Sequence, residues 1–303
     1  MDKLSAMKAF VRVVESGTFT KASESLGVPK AQVTRLVQSL EQDLKTLLLN
    51  RTTRRVVTTA DGAAYYERAA RVLDDVEELE SNMSSAKLQP RGKLRIDVSP
   101  PVANQIIIPS LADFCERYPD IQIDIGVGER PVDLVGESVD CVVRAGAVSD
   151  PSLVARRLGE VRRVFCASPA YLKRCGTPQH PTELEDEPHR VIRYFTYGGG
   201  RLGYALERDG EQYEFNPHST IAVNDSSAMV AAGLAGLGIA RSNSVVAGPY
   251  LESGRLKLVL PDWNAGSIPL HAVYPPNRHV SAKLRVFIDW VADVCAKSLA
   301  SPH

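Results

Sequence analysis

Apolar side chains recur at helical spacing near the start of the chain. Leu4, Met7, Phe10, Val11 and Val14 form one stripe over about residues 2–15, which Gly17 ends. Phe19, Ala22 and Leu26 form a shorter stripe, and Val33, Leu36, Val37 and Leu40 a third, with Gly27 in the turn between them. Two short helices joined by a glycine-containing turn make a helix-turn-helix. The apolar face of the later helix leaves Lys30, Gln32, Thr34, Arg35 and Gln38 free, side chains that bond phosphates and base edges in a DNA major groove. A β-prone segment follows, Asn50 to Thr58, with Arg51, Arg54 and Arg55. It predicts a two-stranded basic wing. Its arginines read either as a solvated hairpin or as phosphate contacts, and the neighbouring helix-turn-helix favours contact.

Thr59 can cap the next helix, which extends over residues 60–87 without a proline. Ala69, Val72, Val76, Leu79 and Met83 recur at alternating three and four spacing, the seam of a coiled coil, while Asp74, Asp75, Glu77, Glu78 and Glu80 fall on the wet side. A long helix with one narrow apolar stripe needs a partner. Residues 88–92, with Pro90 and Gly92, break the pattern and mark a hinge. Beyond it, strand-like runs at 93–98, 121–127, 139–144 and 162–167 alternate with helical patterns at 101–118, 130–136 and 169–175. This βαβ rhythm predicts a mainly parallel α/β sheet. Further strands are expected near 191–195, 220–223 and 238–240, with a helix at 226–235, and the stretches 254–263 and 268–275 precede a closing amphipathic helix at 281–297.

Charge changes the picture only when it is located. The formal net charge is zero, yet residues 1–60 hold ten Lys and Arg against five Asp and Glu, and residues 61–87 hold three against seven. A basic head is what attracts a polyanion, whatever the total. No apolar run spans a bilayer and Met1-Asp2-Lys3-Leu4 begins an amphipathic helix instead of a signal peptide, so a soluble, cytoplasmic protein without a membrane partner is expected. Five scattered cysteines without a C-x-x-C suggest neither a disulfide framework nor zinc. Cys166 and Cys175 raise a redox switch, against the plainer reading of buried thiols. The histidines lack metal-ligand spacing, there is no G-x-S-x-G, and Gly233, Gly236 and Gly238 are spaced wrongly for a dinucleotide fingerprint. An enzyme is therefore not expected, nor is a metal or any other cofactor.

The amino-terminal pattern resembles the DNA-binding domain of LysR-type transcriptional regulators. The resemblance continues through Gly92-Lys-Leu-Arg-Ile, Phe114-x-x-x-Tyr118-Pro119, Val139-Asp-Cys-Val-Val-Arg144, Cys166-Ala-Ser-Pro-Ala-Tyr171-Leu172, Pro181-x-x-Leu184 and Met229-Val-Ala-Ala-Gly233-Leu-Ala-Gly236-Leu-Gly238-Ile239. Many weak motifs in one order are more specific than any alone. The resemblance implies a winged helix-turn-helix over 1–59, a dimerising linker helix over 60–87 that pairs antiparallel, and a two-lobed effector domain over 93–303 with the architecture of periplasmic solute-binding proteins. Lobe I would hold 93–162 and 267–303, and lobe II 163–266. The reading helix would cover about 30–44, with Thr34 and Arg35 at the family's Ser-Arg pair. Pro29-Lys30-Ala31 replaces the usual Ser-Gln-Pro, which removes the side-chain cap and leaves base preference open.

The same resemblance implies promoter DNA, a small-molecule effector and further copies of the chain as partners, in a homodimer or homotetramer, with RNA polymerase a further partner. Ser99-Pro100-Pro101 and Asn224-Asp225-Ser226 each join a strand to a helix at an expected interlobe cleft, where backbone N–H groups favour an anion. Arg144 matches a family position near the effector, and Phe195, Thr196 and Tyr197 occupy the crossover. Arg144 reads equally as an interlobe salt bridge, and Phe195 as core packing. Asp225 is a contrary sign, because it can cap its own helix and take the N–H groups an anion needs. The expected effector is thus small and anionic. A redox-responsive regulator of this fold, or a solute-binding protein without DNA function, is the alternative.

Overall fold

A computed structural model describes residues 2–51, 56–83, 90–134, 136–137, 139–148, 150–195, 203–276 and 280–300, with the side chains of 51, 74–75 and 77–83 outside that description. The chain divides into two units, residues 1–89 and 90–303.

In the first unit, α1 (Lys3–Ser16) starts where Asp2 accepts the Ser5 N–H, and ends at Gly17 with φ 71°. Helix α2 (Phe19–Leu26) is capped by Thr18 and closed by Gly27 at φ 64°, a left-handed conformation that glycine adopts without a Cβ penalty. Helix α3 (Lys30–Leu44) follows Pro29 and has no side-chain cap, as its sequence requires. Phe10, Val33, Val37, Leu40, Leu48 and Leu49 close one core. Strands β1 (Leu49–Arg51) and β2 (Val56–Thr58) pair antiparallel as the wing, Asn50 opposite Val57. Its base is pinned by Glu41, a buried carboxylate of α3 whose Oε1 accepts the N–H groups of Leu48 at 2.9 Å and Leu49 at 3.1 Å. Helix α4 (Ala60–Met83) begins where Thr59 Oγ1 accepts the Gly62 N–H. Ala69 and Leu73 join the core of this unit, so of the stripe expected to form a seam Ala69 is buried within the chain, while Val72 is exposed and Val76 half-buried. Leu79 and Met83 have side chains outside the described set.

The second unit opens with β3 (Gly92–Val98), a short α5 (Pro100–Val102), a π-helical turn (Ala103–Ile107) and α6 (Ile108–Arg117). Then come β4 (Ile121–Val127), β5 (Cys141–Ala145), the long β6 (Val154–Ala167), α7 (Pro169–Cys175) and β7 (Val191–Tyr194). A hairpin, β8 (Tyr204–Arg208) and β9 (Glu211–Phe215), precedes β10 (Ala222–Val223), α8 (Ser226–Leu234), β11 (Ile239–Asn243), α9 (Ser244–Glu252), β12 (Lys257–Val259), β13 (Ser267–Tyr274) and α10 (Ala282–Leu299). Among the described residues one nine-stranded sheet runs β10-β7-β11-β6-β13-β5-β3-β4, with β12 beside β6. Strand β6 carries it from one half to the other: residues up to Arg162 pair with β13, and Arg163 onward with β11. One half closes around Leu94, Ile96, Phe114, Phe287 and Trp290. The other half has a core on each face, around Phe165, Tyr204 and Trp263 on one and Cys166, Ile192 and Met229 on the other.

Two expectations are corrected, and a hairpin and a helix were missed. The sheet is mixed, because β6 pairs antiparallel with β11, β12 and β13. Among the described residues of 130–136 no helix forms: Asp133 Oδ1 accepts the Gly136 N–H, and Glu137 binds both Arg130 and the Asp133 N–H, so local side-chain bonds replace a helical ladder. The hairpin β8–β9 and helix α9 were not expected at all.

Candidate functional site

Helix α3 buries Val33, Val37 and Leu40 and leaves Lys30, Gln32, Arg35 and Gln38 exposed. Thr34 is half-buried and its hydroxyl donates to the Lys30 carbonyl oxygen at 3.0 Å. Among the described residues no carboxylate pairs with Lys30 or Arg35. Uncompensated cations on one helix face are free to meet phosphate. Arg51 ends β1, its side chain outside the described set, as are Arg54 and Arg55.

In the second unit a cavity of about 420 Å³ lies where the two halves of the sheet meet. Val102, Val161, Met229, Val245 and Ile268 give it apolar walls, and Ser99, Glu129, Arg144, Arg163, Tyr194, Ser226, Arg241, Ser242 and Asn243 supply polar groups. Arg144 stands on β5 beside β3 and donates to Asp97 Oδ1 at 2.7 Å, to the Gly128 carbonyl oxygen at 3.2 Å and to that of Arg130. Burial raises the Asp97 pKa and Arg144 opposes that shift. Tyr194 donates to the Asn224 carbonyl oxygen at 3.0 Å, and burial, with Glu129 and Asp225 adding to it, pushes its phenol up to about 12.

Known proteins settle which family this is. Residues 4–63 match the bacterial regulatory helix-turn-helix protein of the lysR family, and residues 87–296 the LysR substrate binding domain. The chain is a LysR-type transcriptional regulator. It is 38% identical over 300 residues to the HTH-type transcriptional regulator YhjC of Escherichia coli, spanning 99% of this chain and 100% of that protein. It is 35% identical over 302 residues to an HTH-type transcriptional repressor of Pseudomonas aeruginosa, spanning 98% of this chain and 94% of that one. Among solved structures it is similar to the LysR-type regulator CrgA of Neisseria meningitidis, with 33% identity and a TM-score of 0.60 over 96% of this chain and 98% of that one. The LysR-type family consists of DNA-binding regulators that carry an effector-binding domain and oligomerise.

Within this LysR-type regulator the cleft gathers only part of the effector set expected from sequence. Ser99, Arg144 and Ser226 line the cavity. Pro100, Phe195 and Asn224 do not: Phe195 is 43% exposed, and Asn224 contributes a carbonyl to Tyr194. Thr196 and Tyr197 lie outside the described residues. Arg144 is not an interlobe bridge, since Asp97 and Arg144 stand on adjacent strands of one half.

The two strand-to-helix turns are also poorer in N–H donors than expected. Pro100 and Pro101 have none, and the Ser99 N–H is used by the Val143 carbonyl oxygen. At α8, Asp225 Oδ1 accepts the Ala228 N–H at 2.7 Å, and Ser226 Oγ donates to Glu129 Oε1 at 2.8 Å. A carboxylate of the chain already sits there. Arg163, Arg241, Ser242 and Asn243 were missed. Their signal was polar residues inside strand runs, in Val161-Arg162-Arg163-Val164 and Ile239-Ala240-Arg241-Ser242.

All five cysteines are free, and burial pushes the thiols of Cys141, Cys166 and Cys295 up to about 12. Among the described residues no helix is long and apolar enough to cross a membrane, and no cluster of ligating side chains suits a metal.

Proposed function

We propose that this regulator docks α3 in the major groove of promoter DNA and answers to a small anionic effector in the cavity of residues 90–303. Lys30, Gln32, Thr34, Arg35 and Gln38 meet base edges and nearby phosphates, while Arg51, Arg54 and Arg55 of the wing hold phosphates. The observation that carries the reading is the exposed face of α3, on which Lys30 and Arg35 have no carboxylate partner among the described residues. Residues 1–59 act as the DNA-binding domain, 60–87 as the dimerisation helix, 88–92 as hinge, and 93–162 with 267–303 and 163–266 as two lobes. The protein works in the cytoplasm as a homodimer or homotetramer.

Effector binding favours one arrangement of the lobes and, through the oligomer, one spacing of the DNA-binding heads, which changes DNA bending or contact with RNA polymerase. A difference in affinity between states of roughly 10⁴-fold reverses a 1:99 balance, and smaller differences suffice for partial control. The test is fluorescence anisotropy of the full chain on the DNA upstream of its own gene, against scrambled DNA of equal length. Preference for the upstream DNA at physiological salt, altered by a cavity ligand, is expected. Equal affinity for both at every salt concentration would overturn the reading.

A further inference from the structure

We propose that Arg163 and Arg241 together form the seat for the effector's acidic group, and that the effector is a monocarboxylate with an apolar body. The proposal rests on the reading of the cavity as the effector site. Strands β6 and β11 pair with Arg163 opposite Asn243 and Arg241 opposite Phe165, so both arginines stand on one face of the sheet, a diagonal apart. Both line the cavity. Among the described residues no carboxylate pairs with either, whereas Arg144 in the same cavity is neutralised by Asp97. The stretches of 90–303 outside the described set contain no Asp or Glu, so they supply no side-chain counter-charge.

Two half-buried cations side by side repel one another. Burial first, and then the charge of Arg163, lower the Arg241 pKa, with Tyr204 opposing the shift. Arg241 donates to the Gly203 carbonyl oxygen at 2.9 Å and lies over the Tyr204 ring at 5.0 Å. These contacts orient the guanidinium without cancelling its charge. The other places an anion might take are occupied: Asp225 and Glu129 hold the start of α8, and Arg144 is paired.

Two cavity-lining residues carry buried donors without a partner among the described residues: Arg144 Nε, and Ser242 Oγ on the face of β11 away from the two arginines. A ligand oxygen would satisfy the former. The apolar walls set the rest of the ligand. Val102, Val161, Met229, Val245 and Ile268 offer no partner to a polyhydroxyl chain and suit a ring or short alkyl body. A single acidic group is preferred to several because Glu129 opposes a second negative charge near α8.

The experiment uses the full chain and a fixed panel: acetate, hexanoate, benzoate, phenylacetate and salicylate, each beside its primary amide, scored by melting temperature and then by titration calorimetry. At least one carboxylate should raise the melting temperature where its amide does not. Its Kd should weaken at least tenfold in Arg163→Gln and in Arg241→Gln, recover in part in Arg241→Lys, and stay unchanged in Arg157→Gln, an exposed arginine paired with Glu160. If acids and amides bind alike and Val245→Trp abolishes both, the cavity is the effector site but the arginine seat is wrong. Acid binding lost in Val245→Trp but kept in both glutamine variants likewise keeps the cavity and overturns the seat. Binding that survives Val245→Trp and both glutamine variants overturns the cavity reading itself. No response to any member of the panel overturns the monocarboxylate assignment.

Discussion

Gly62 lies in the first turn of α4, where an added Cβ would sit 1.9 Å from the Leu48 carbonyl oxygen. Leu48 is backbone already fixed by Glu41, so neither side can yield cheaply. Gly62→Ala should therefore cost about 1–3 kcal/mol through overpacking and loosen the junction of wing and α4. A lowered melting temperature together with weaker DNA binding is expected, and an unchanged melt would show that the junction accommodates a methyl group. The cysteines give a second check at this scale. A thiol held near 12 stays protonated at neutral pH, and the thiolate is the nucleophile. Brief alkylation of the native chain at pH 8, read by mass spectrometry, should label exposed Cys115 and spare Cys141, Cys166 and Cys295 until the protein is denatured. Rapid native labelling of Cys166 would revive the redox reading.

Among elements, α3 is where sequence and structure agree most closely, because a helix with one buried stripe declares its free face by arithmetic. Replacing Arg35 with Ala should weaken specific binding by about 1–3 kcal/mol and relax base preference, and replacing Arg54 should lower affinity for all sequences and flatten the salt dependence. Equal loss on specific and random DNA for the Arg35 variant would remove it from base reading. Anisotropy titrations over a salt series separate the two outcomes. Elements whose pairing is distant were less legible. The antiparallel return of β13 along β6 depends on partners more than a hundred residues away, and nothing within 154–161 distinguishes that run from a loop with four exposed positions at its start. The lost helix at 130–136 yields to side chains of Asp133 and Glu137 that compete for its N–H groups. The cleft was legible as a place and not as a chemistry. Strand-to-helix turns located it, but which side chains enter it depends on the register of β11 against β6, and an apolar run broken by Arg163 or Arg241 does not announce what the arginine faces.

At the scale of the whole molecule, a regulator that reads DNA with one small helix gains its affinity by holding two heads together. Once one head is bound, a tethered second head binds at a high effective concentration, which raises affinity by about 10²–10⁴-fold without a new contact. Helix α4 is the element suited to the tether. Its Ala69 and Leu73 are spent on the core of their own unit, while Val72 is left 44% exposed and Val76 half-buried one turn further on, apolar surface that water does not favour. Substituting Glu at both Val72 and Val76 places like charges from two chains in one seam. Within the single chain Val72 is exposed and Val76 only half-buried, so the melting temperature of the core of residues 1–89 should fall little. Sedimentation velocity should then show monomers at concentrations where the parent is oligomeric, and operator affinity should fall by about the 10²–10⁴-fold that tethering supplied, with affinity for random DNA falling less. Particles of parental size in the double variant would place the dimer contact away from this stretch of α4.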